Sequence, residues 1–140
     1  MASPVQIDEH GLLNTVYEYA YALDEKRFDL FADCFTETAT IDIRVHDVAV
    51  PVPHLESRSA IVEFFETGRD AHRDRRRHVV TNVRVDRLGD TATVHSYVIL
   101  YSTENGETRL LCTGQYFDEL VLEDRWRIAS KVIDLDSMYA

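Results

Sequence analysis

The spacing of apolar positions alternates between a helical period and a strand period over the first half of the chain and holds to the strand period afterwards. Over residues 7–23, Leu13, Val16, Tyr17, Ala20 and Leu23 recur at intervals of three and four, which predicts an amphipathic helix with one face on a core. Extended by one position, that face reaches Asp24, so an apolar stripe ends on a carboxylate. Phe28, Phe31 and Phe35 repeat the spacing and predict a second, short helix. TATIDIRV (38–45) alternates and is rich in β-branched residues, so it reads as a strand. VAVPVPHL (48–55) carries Pro51 and Pro53, which restrict it to an edge strand or a loop. SRSAIVEFFETGRDAHR (57–73) is helical again, with Ile61, Phe64 and Phe65 as its apolar face and Ser57 or Ser59 as its N-cap.

From residue 77 the period is two. RHVVTNVRVDR, TATVHSYVILYS, ETRLLCTGQYFDELVLE and RWRIASKVIDLD read as four long strands. They turn at Leu88-Gly89-Asp90, at Glu104-Asn105-Gly106 and near Glu123-Asp124. The Asn-Gly pair is a strong hairpin signal, because both residues tolerate positive φ. Helices followed by a meander of strands imply an α+β fold, an antiparallel sheet with helices on one face. If that sheet curves strongly, helices across its concave side enclose a cavity suited to a small molecule. A chain of 140 residues fits one domain, 1–140.

Charge and motifs narrow the partners. The formal net charge of -10 argues against nucleic acid and against an anionic membrane surface. No apolar run approaches the roughly 18 residues that span a bilayer, and MASPVQIDEHG lacks a signal-peptide pattern. The chain therefore reads as soluble and cytoplasmic. Cys34 and Cys112 stand in apolar contexts without a CxxC, which favours two buried free thiols over a zinc site; a disulfide between them is the alternative. The histidines lack HxH or HExxH spacing, and no Gly-rich phosphate loop or flavin motif occurs, so neither a metal nor a cofactor is expected. RDAHRDRRRH (69–78) holds five arginines. It reads as a solvated helix end and loop, or as a basic mouth that attracts an anionic substrate. For Asp24, two readings stand at this point: a surface cap for the second helix, or an acid in a pocket.

Three stretches together resemble the SnoaL-like branch of the NTF2-like superfamily. They are YAYALDEKRFDLFADCFTETATIDI, RHVVTNVRVDRLGDTATVHSYVILY and CTGQYFDELVLEDRWRIASKVIDLD, and the likeness extends over nearly the whole chain. Relatives in this group include scytalone dehydratase, bile acid dehydratase, lindane dehydrochlorinase and polyketide cyclases. The resemblance implies a cone-shaped, curved antiparallel sheet, a partial barrel, with three helices on its concave side around a central pocket. Dehydratase-like members pair an aspartate at the end of the first helix with a histidine on a strand. Asp24 in ALDEKRF and His78 in RHVVTN match those positions. Tyr19 matches a pocket tyrosine one turn before the aspartate. Where scytalone dehydratase carries a catalytic tyrosine on the first strand, this chain has Ile43, which argues against a scytalone-type reaction.

In such a pair the aspartate holds the histidine ring in one tautomer, and the free nitrogen takes or gives a proton. No Ser, Cys or Thr stands in a nucleophile motif, so removal of a C–H proton next to a carbonyl is the expected chemistry. Donors for the resulting oxyanion would come from Tyr19, Asn82, Tyr97, Tyr101, Tyr116 or His95. Alternation places His78, Val80 and Asn82 on one face, and His95, Tyr97, Ile99 and Tyr101 on one face of the next strand. His95 and Tyr97 thus share one fate, and each tyrosine has core packing as its alternative role. The expected function is a cofactor-independent lyase or isomerase, a dehydratase or cyclase, acting on a hydrophobic oxygenated ring compound such as a polyketide, steroid-like or terpenoid intermediate. The alternatives are a non-catalytic ligand-binding or assembly subunit, like the small subunit of ring-hydroxylating dioxygenases, and a dehydrohalogenase using the same pair. Apolar residues on the outer strand faces, with the family's habits, point to a homo-oligomer, a trimer or a dimer.

Overall fold

The helix that ends on a carboxylate does so through a backbone motif. In the computed structural model of the chain, which describes residues 9–48 and 53–138, α1 spans Glu9–Asp24. Lys26 follows at φ 56°, in the left-handed region. The Arg27 N–H reaches the Ala22 carbonyl at 2.8 Å and the Lys26 N–H reaches Leu23 at 3.3 Å. This is the Schellman pattern, which satisfies the last carbonyls and turns the chain sharply. Asp24 is thereby fixed in the final turn with its side chain directed inward, 8% exposed. The buried stripe of α1 is Leu12, Thr15, Val16, Tyr19, Ala20, Ala22 and Leu23. It is rotated from the expected one: Tyr17 is exposed, and Tyr19 takes the core position instead.

α2 is Phe28–Asp33, and Phe35 already belongs to the first strand, β1 (Phe35–Val45), so the helix is shorter than its phenylalanine spacing suggests. Phe31 and Phe35 are nonetheless both fully buried, packed edge to face at 5.1 Å. β2 is the short edge segment His54–Glu56. The readings of the first eight residues and of Pro51 lie outside the described residues. α3 (Arg58–Asp70) starts at Ser57, whose hydroxyl accepts the Ala60 N–H at 3.2 Å. The four long strands are β3 (Arg75–Leu88), β4 (Thr91–Glu104), β5 (Glu107–Leu122) and β6 (Trp126–Leu135). Asn105 and Gly106, at φ 52° and 79°, make the β4–β5 turn.

The strands form one curved, unclosed sheet in the order β2-β1-β6-β5-β4-β3. All neighbours are antiparallel except β1 and β6, which pair parallel, so the early strand, paired with β2 on one edge, joins the last strand on the other. Gly114 marks a close approach in that region: a Cβ there would meet the Asp134 carbonyl at 2.7 Å. The inward residues of β4, β5 and β6, among them Val94, Val98, Leu120 and Ile128, join the α1 and α2 side chains in the core. Arg125 ties the β5–β6 turn to α1, bonding Glu18 at 2.6 Å. Cys34 and Cys112 are both free and buried. Burial pushes their thiols up to about 12 and about 11. Among the described residues no helix is long and apolar enough to cross a membrane.

Candidate active site

α1, α3 and the inner faces of β3 to β6 enclose a cavity of about 830 Å³. Its walls are mostly apolar, with Leu23, Phe65, Val98, Leu100 and Ile133 among them. Ile43 lines it too.

His78 stands on the wall of this cavity and Asp24 stands directly behind it. One carboxylate oxygen lies 2.6 Å from His78 Nδ1, and the other accepts the backbone N–H of His78 at 2.9 Å. The first contact sets the ring plane and the second ties α1 to β3, so both groups are held by elements of the fold and not by loops. An ionised carboxylate only accepts, so Nδ1 carries a proton and the neutral ring keeps its lone pair on Nε2. The ring is 12% exposed, enough to meet a ligand and little enough to exclude most water.

Two of the expected tyrosines are in place. Tyr19 and Tyr116 both line the cavity and pack edge to face, with centroids 5.6 Å apart. Burial pushes the Tyr116 hydroxyl well above its ordinary value, so Tyr116 enters the pocket as a neutral donor. The other four candidates lie elsewhere. Tyr97 and Tyr101 are exposed on the opposite face of β4, where His95 stacks on Phe117 at 4.5 Å and bonds Gln115 at 2.7 Å. Inward alternation on β4 runs through Val98 and Leu100, which removes all three from the cavity together. Asn82 sits at φ 52° in a bulge between Thr81 and Arg84. The bulge shifts the phase of β3, so Val80 and Val83 face the core and Asn82 points away, accepting from the Thr81 hydroxyl at 3.1 Å.

Sequence reasoning missed two polar groups in and behind the walls. Lys131 on β6 and Asp118 on β5 are register partners, 1% and 0% exposed at the side chain, with Nζ 3.0 Å from Oδ1. Nζ also lies over the Tyr116 ring at 3.7 Å and the Tyr19 ring at 4.0 Å. Burial pushes Asp118 up and Lys131 down, each opposed by the charge of the other. The second group lies within the arginine run. Arg69 and Arg76 are buried and line the cavity, and Asp74 sits between them. Asp74 accepts from Arg76 Nε at 2.9 Å and from the Ser102 hydroxyl at 2.5 Å. Burial raises the Asp74 carboxyl, but the Ser102 and Arg76 hydrogen bonds outweigh it and hold the group at about 2. The solvated reading of this run therefore fails for two of its five arginines. Among the described residues no three His, Cys, Asp or Glu side chains converge as metal ligands.

Comparisons with known proteins agree with this architecture. The family model described as a SnoaL-like domain matches residues 7–132. No curated protein matches the chain. Among solved structures, the β subunit of a candidate aromatic-ring-hydroxylating dioxygenase from Novosphingobium aromaticivorans superposes with a TM-score of 0.80 at 19% identity, over 95% of this chain and 92% of that one. A candidate aromatic ring hydroxylase from the same genus is 28% identical, over 96% and 92% of the two chains, with a TM-score of 0.75. ActVI-ORFA from Streptomyces coelicolor gives a TM-score of 0.75 at 20% identity, over 91% and 97%.

Proposed function

The chain belongs to the SnoaL-like domain family, and from that premise we propose that it is a cofactor-independent lyase or isomerase, a dehydratase or cyclase, acting on a hydrophobic oxygenated ring compound. The observation that carries this reading is the two-point grip of Asp24 on His78 at the wall of an apolar cavity. A subunit that only supports an assembly has no use for a charge-assisted pair aimed at a cavity. The size of the cavity suits a polyketide, steroid-like or terpenoid skeleton. The 28% identical neighbour, a candidate aromatic ring hydroxylase, fits a ring-shaped ligand as well.

The steps follow from the tautomer. His78 Nε2 takes a proton from a carbon next to the substrate carbonyl, and the C–H electrons move onto the carbonyl oxygen as an enolate. Asp24 stabilises the imidazolium that forms. Tyr116, with Tyr19 beside it, donates to the oxygen as its charge develops. Collapse of the enolate expels a β-hydroxyl, which takes the proton from His78 and leaves as water. Halide in place of hydroxyl makes the same pair a dehydrohalogenase. Tyr97, Tyr101 and Phe117, exposed on the outer face of the sheet, suit contact with further copies of the chain in a dimer or trimer.

A panel of β-hydroxy cyclic ketones, scored by the absorbance of the enone product, tests this reading. Wild type is expected to turn over at least one member, with a loss of roughly 100-fold or more in His78→Ala. If His78→Ala and Asp24→Asn both stay within a few-fold of wild type, the dyad mechanism is wrong and the cavity serves binding alone.

A further inference from the structure

Lys131 takes no part in the proton transfer, yet it lies against the two tyrosines of the cavity. Its Nζ is 3.7 Å from the centroid of the Tyr116 ring and 4.0 Å from that of Tyr19. Both rings line the cavity that holds His78, whereas the Lys131 side chain is buried. The ammonium thus meets the ring faces from within the core.

Such a charge is costly to keep there. Two buried ions lose their hydration, and apolar side chains of like volume in their place are often neutral or stabilising. Packing alone therefore does not call for Lys131 and Asp118 at facing positions of β6 and β5. The register explains how the cation reaches the rings. Alternation on β5 buries Tyr116 and, two residues on, Asp118. Asp118 then holds Nζ with both carboxylate oxygens, at 3.0 and 3.3 Å.

The face of an aromatic ring is the negative side of its quadrupole and attracts a cation, most strongly where water is excluded. The same cation draws electron density from the ring and from the hydroxyl joined to it. That hydroxyl donates a stronger hydrogen bond, and the charge it takes up as an oxyanion forms is stabilised. Burial, and after it Tyr19 and Asp118, push the Tyr116 hydroxyl up. Asp118 thus opposes the cation, but it is the ammonium that the ring face meets.

We propose that Lys131 is a positioning residue for Tyr116: its ammonium, held by Asp118, fixes the ring and strengthens the hydrogen bond that Tyr116 donates to a ligand carbonyl in the cavity. As a statement about rate this rests on the dyad reading above; as a statement about the bond to a bound ketone it does not.

Two readouts with 2-tetralone separate the two. Isotope-edited infrared spectra give the carbonyl stretch of the bound ketone, which falls as its hydrogen bond strengthens and requires no turnover. Exchange of the α-protons for deuterium gives the rate. The variant is Lys131→Met with Asp118→Val, which leaves no charge unpaired; Lys131→Gln with Asp118→Asn removes the same charges with less change of shape, and either that keeps the native fold decides. Wild type is expected to show a lower carbonyl band than Tyr116→Phe, with the double variant between them. The double variant is expected to lose roughly tenfold in kcat, part of the roughly 10²–10³ that a whole oxyanion donor is worth, with KM within about threefold. A purely structural pair would leave the band and kcat of the folded variant unchanged. His78→Ala is expected to keep the low band even as exchange is lost. A double-variant band at or below the wild-type position overturns the proposal. So does a low band that Tyr116→Phe retains or that His78→Ala abolishes, and so does the absence of any bound-ketone band in wild type.

Discussion

Asp24→Asn probes the proposed pair with almost no change in shape. The carboxylate now accepts twice, from the His78 backbone N–H at 2.9 Å and from Nδ1 at 2.6 Å. An asparagine has one accepting oxygen and one donating nitrogen. If its oxygen keeps the backbone N–H, its amide nitrogen faces Nδ1 as a donor. Nδ1 must then accept, and the ring proton moves to Nε2. The cavity then meets an N–H where it had a lone pair. A positioned general base contributes about 10²–10⁴ in rate, and the same tautomer switch in a Ser-His-Asp triad costs about 10⁴. A loss of roughly 10³ to 10⁴ in kcat is expected, about 4–5.5 kcal/mol at 1.36 kcal/mol per decade. KM should change little, because Asp24 lies behind the ring and not on the cavity wall. Nitrogen NMR of labelled His78 reports the tautomer, and enone formation reports the rate. A switched tautomer with less than a tenfold loss in kcat would refute the reasoning, since the ring nitrogen facing the cavity would then be irrelevant to the chemistry.

Other outcomes follow from the buried charges. Lys131→Met leaves Asp118 ionised and unpaired in the core, so a loss of about 3–5 kcal/mol is expected in urea unfolding at pH 7. Burial already raises the Asp118 carboxyl, and loss of Lys131 raises it further, so the loss should shrink as the pH falls and Asp118 takes a proton. A loss that does not depend on pH would count against this. Asp74 is held at about 2, below the ordinary carboxylate value, so its contribution is present above pH 4 and fades as the pH falls toward 2. Asp74→Asn should therefore cost on the order of 2 kcal/mol at pH 6, with the gap to wild type closing below pH 4. Cys34 and Cys112, with thiols raised to about 12 and about 11, should label with a maleimide at pH 7 only after denaturation. Rapid labelling of the native protein would show that the burial is not maintained.

The order of elements was legible because period and turn chemistry agreed along most of the chain. Asn105-Gly106 fixed one hairpin, and the change of period after residue 73 separated the last helix from the four long strands. The pair Asp24 and His78 was legible only through the family resemblance, since residues 54 apart leave no mark on local spacing. Asn82 shows where alternation stops informing: one bulge reverses the phase, and an asparagine inside a strand, though it tolerates positive φ, does not by itself mark one. His95, Tyr97 and Tyr101 could not be assigned because alternation gives two faces without saying which is inner. Lys131 and Asp118 were hidden for a related reason. β6 changes phase between Ile128 and Lys131, and the skipped pairing opposite Glu119 and Leu120 brings the lysine inward. The arginine run misled by its average: Arg69 and Arg76 are buried, while the exposed Arg73, Arg75 and Arg77 fit the solvated reading.

Dehydration, cyclisation, double-bond migration and halide elimination share one elementary step, the removal of a proton next to a carbonyl. Exchange of the α-protons of 2-tetralone for deuterium, followed by proton NMR in D2O, isolates that step from any leaving group. Wild type is expected to accelerate the exchange, and His78→Ala is expected to return it to within about tenfold of the buffer rate. Exchange that His78→Ala catalyses as fast as wild type would contradict the assignment of His78 as the base.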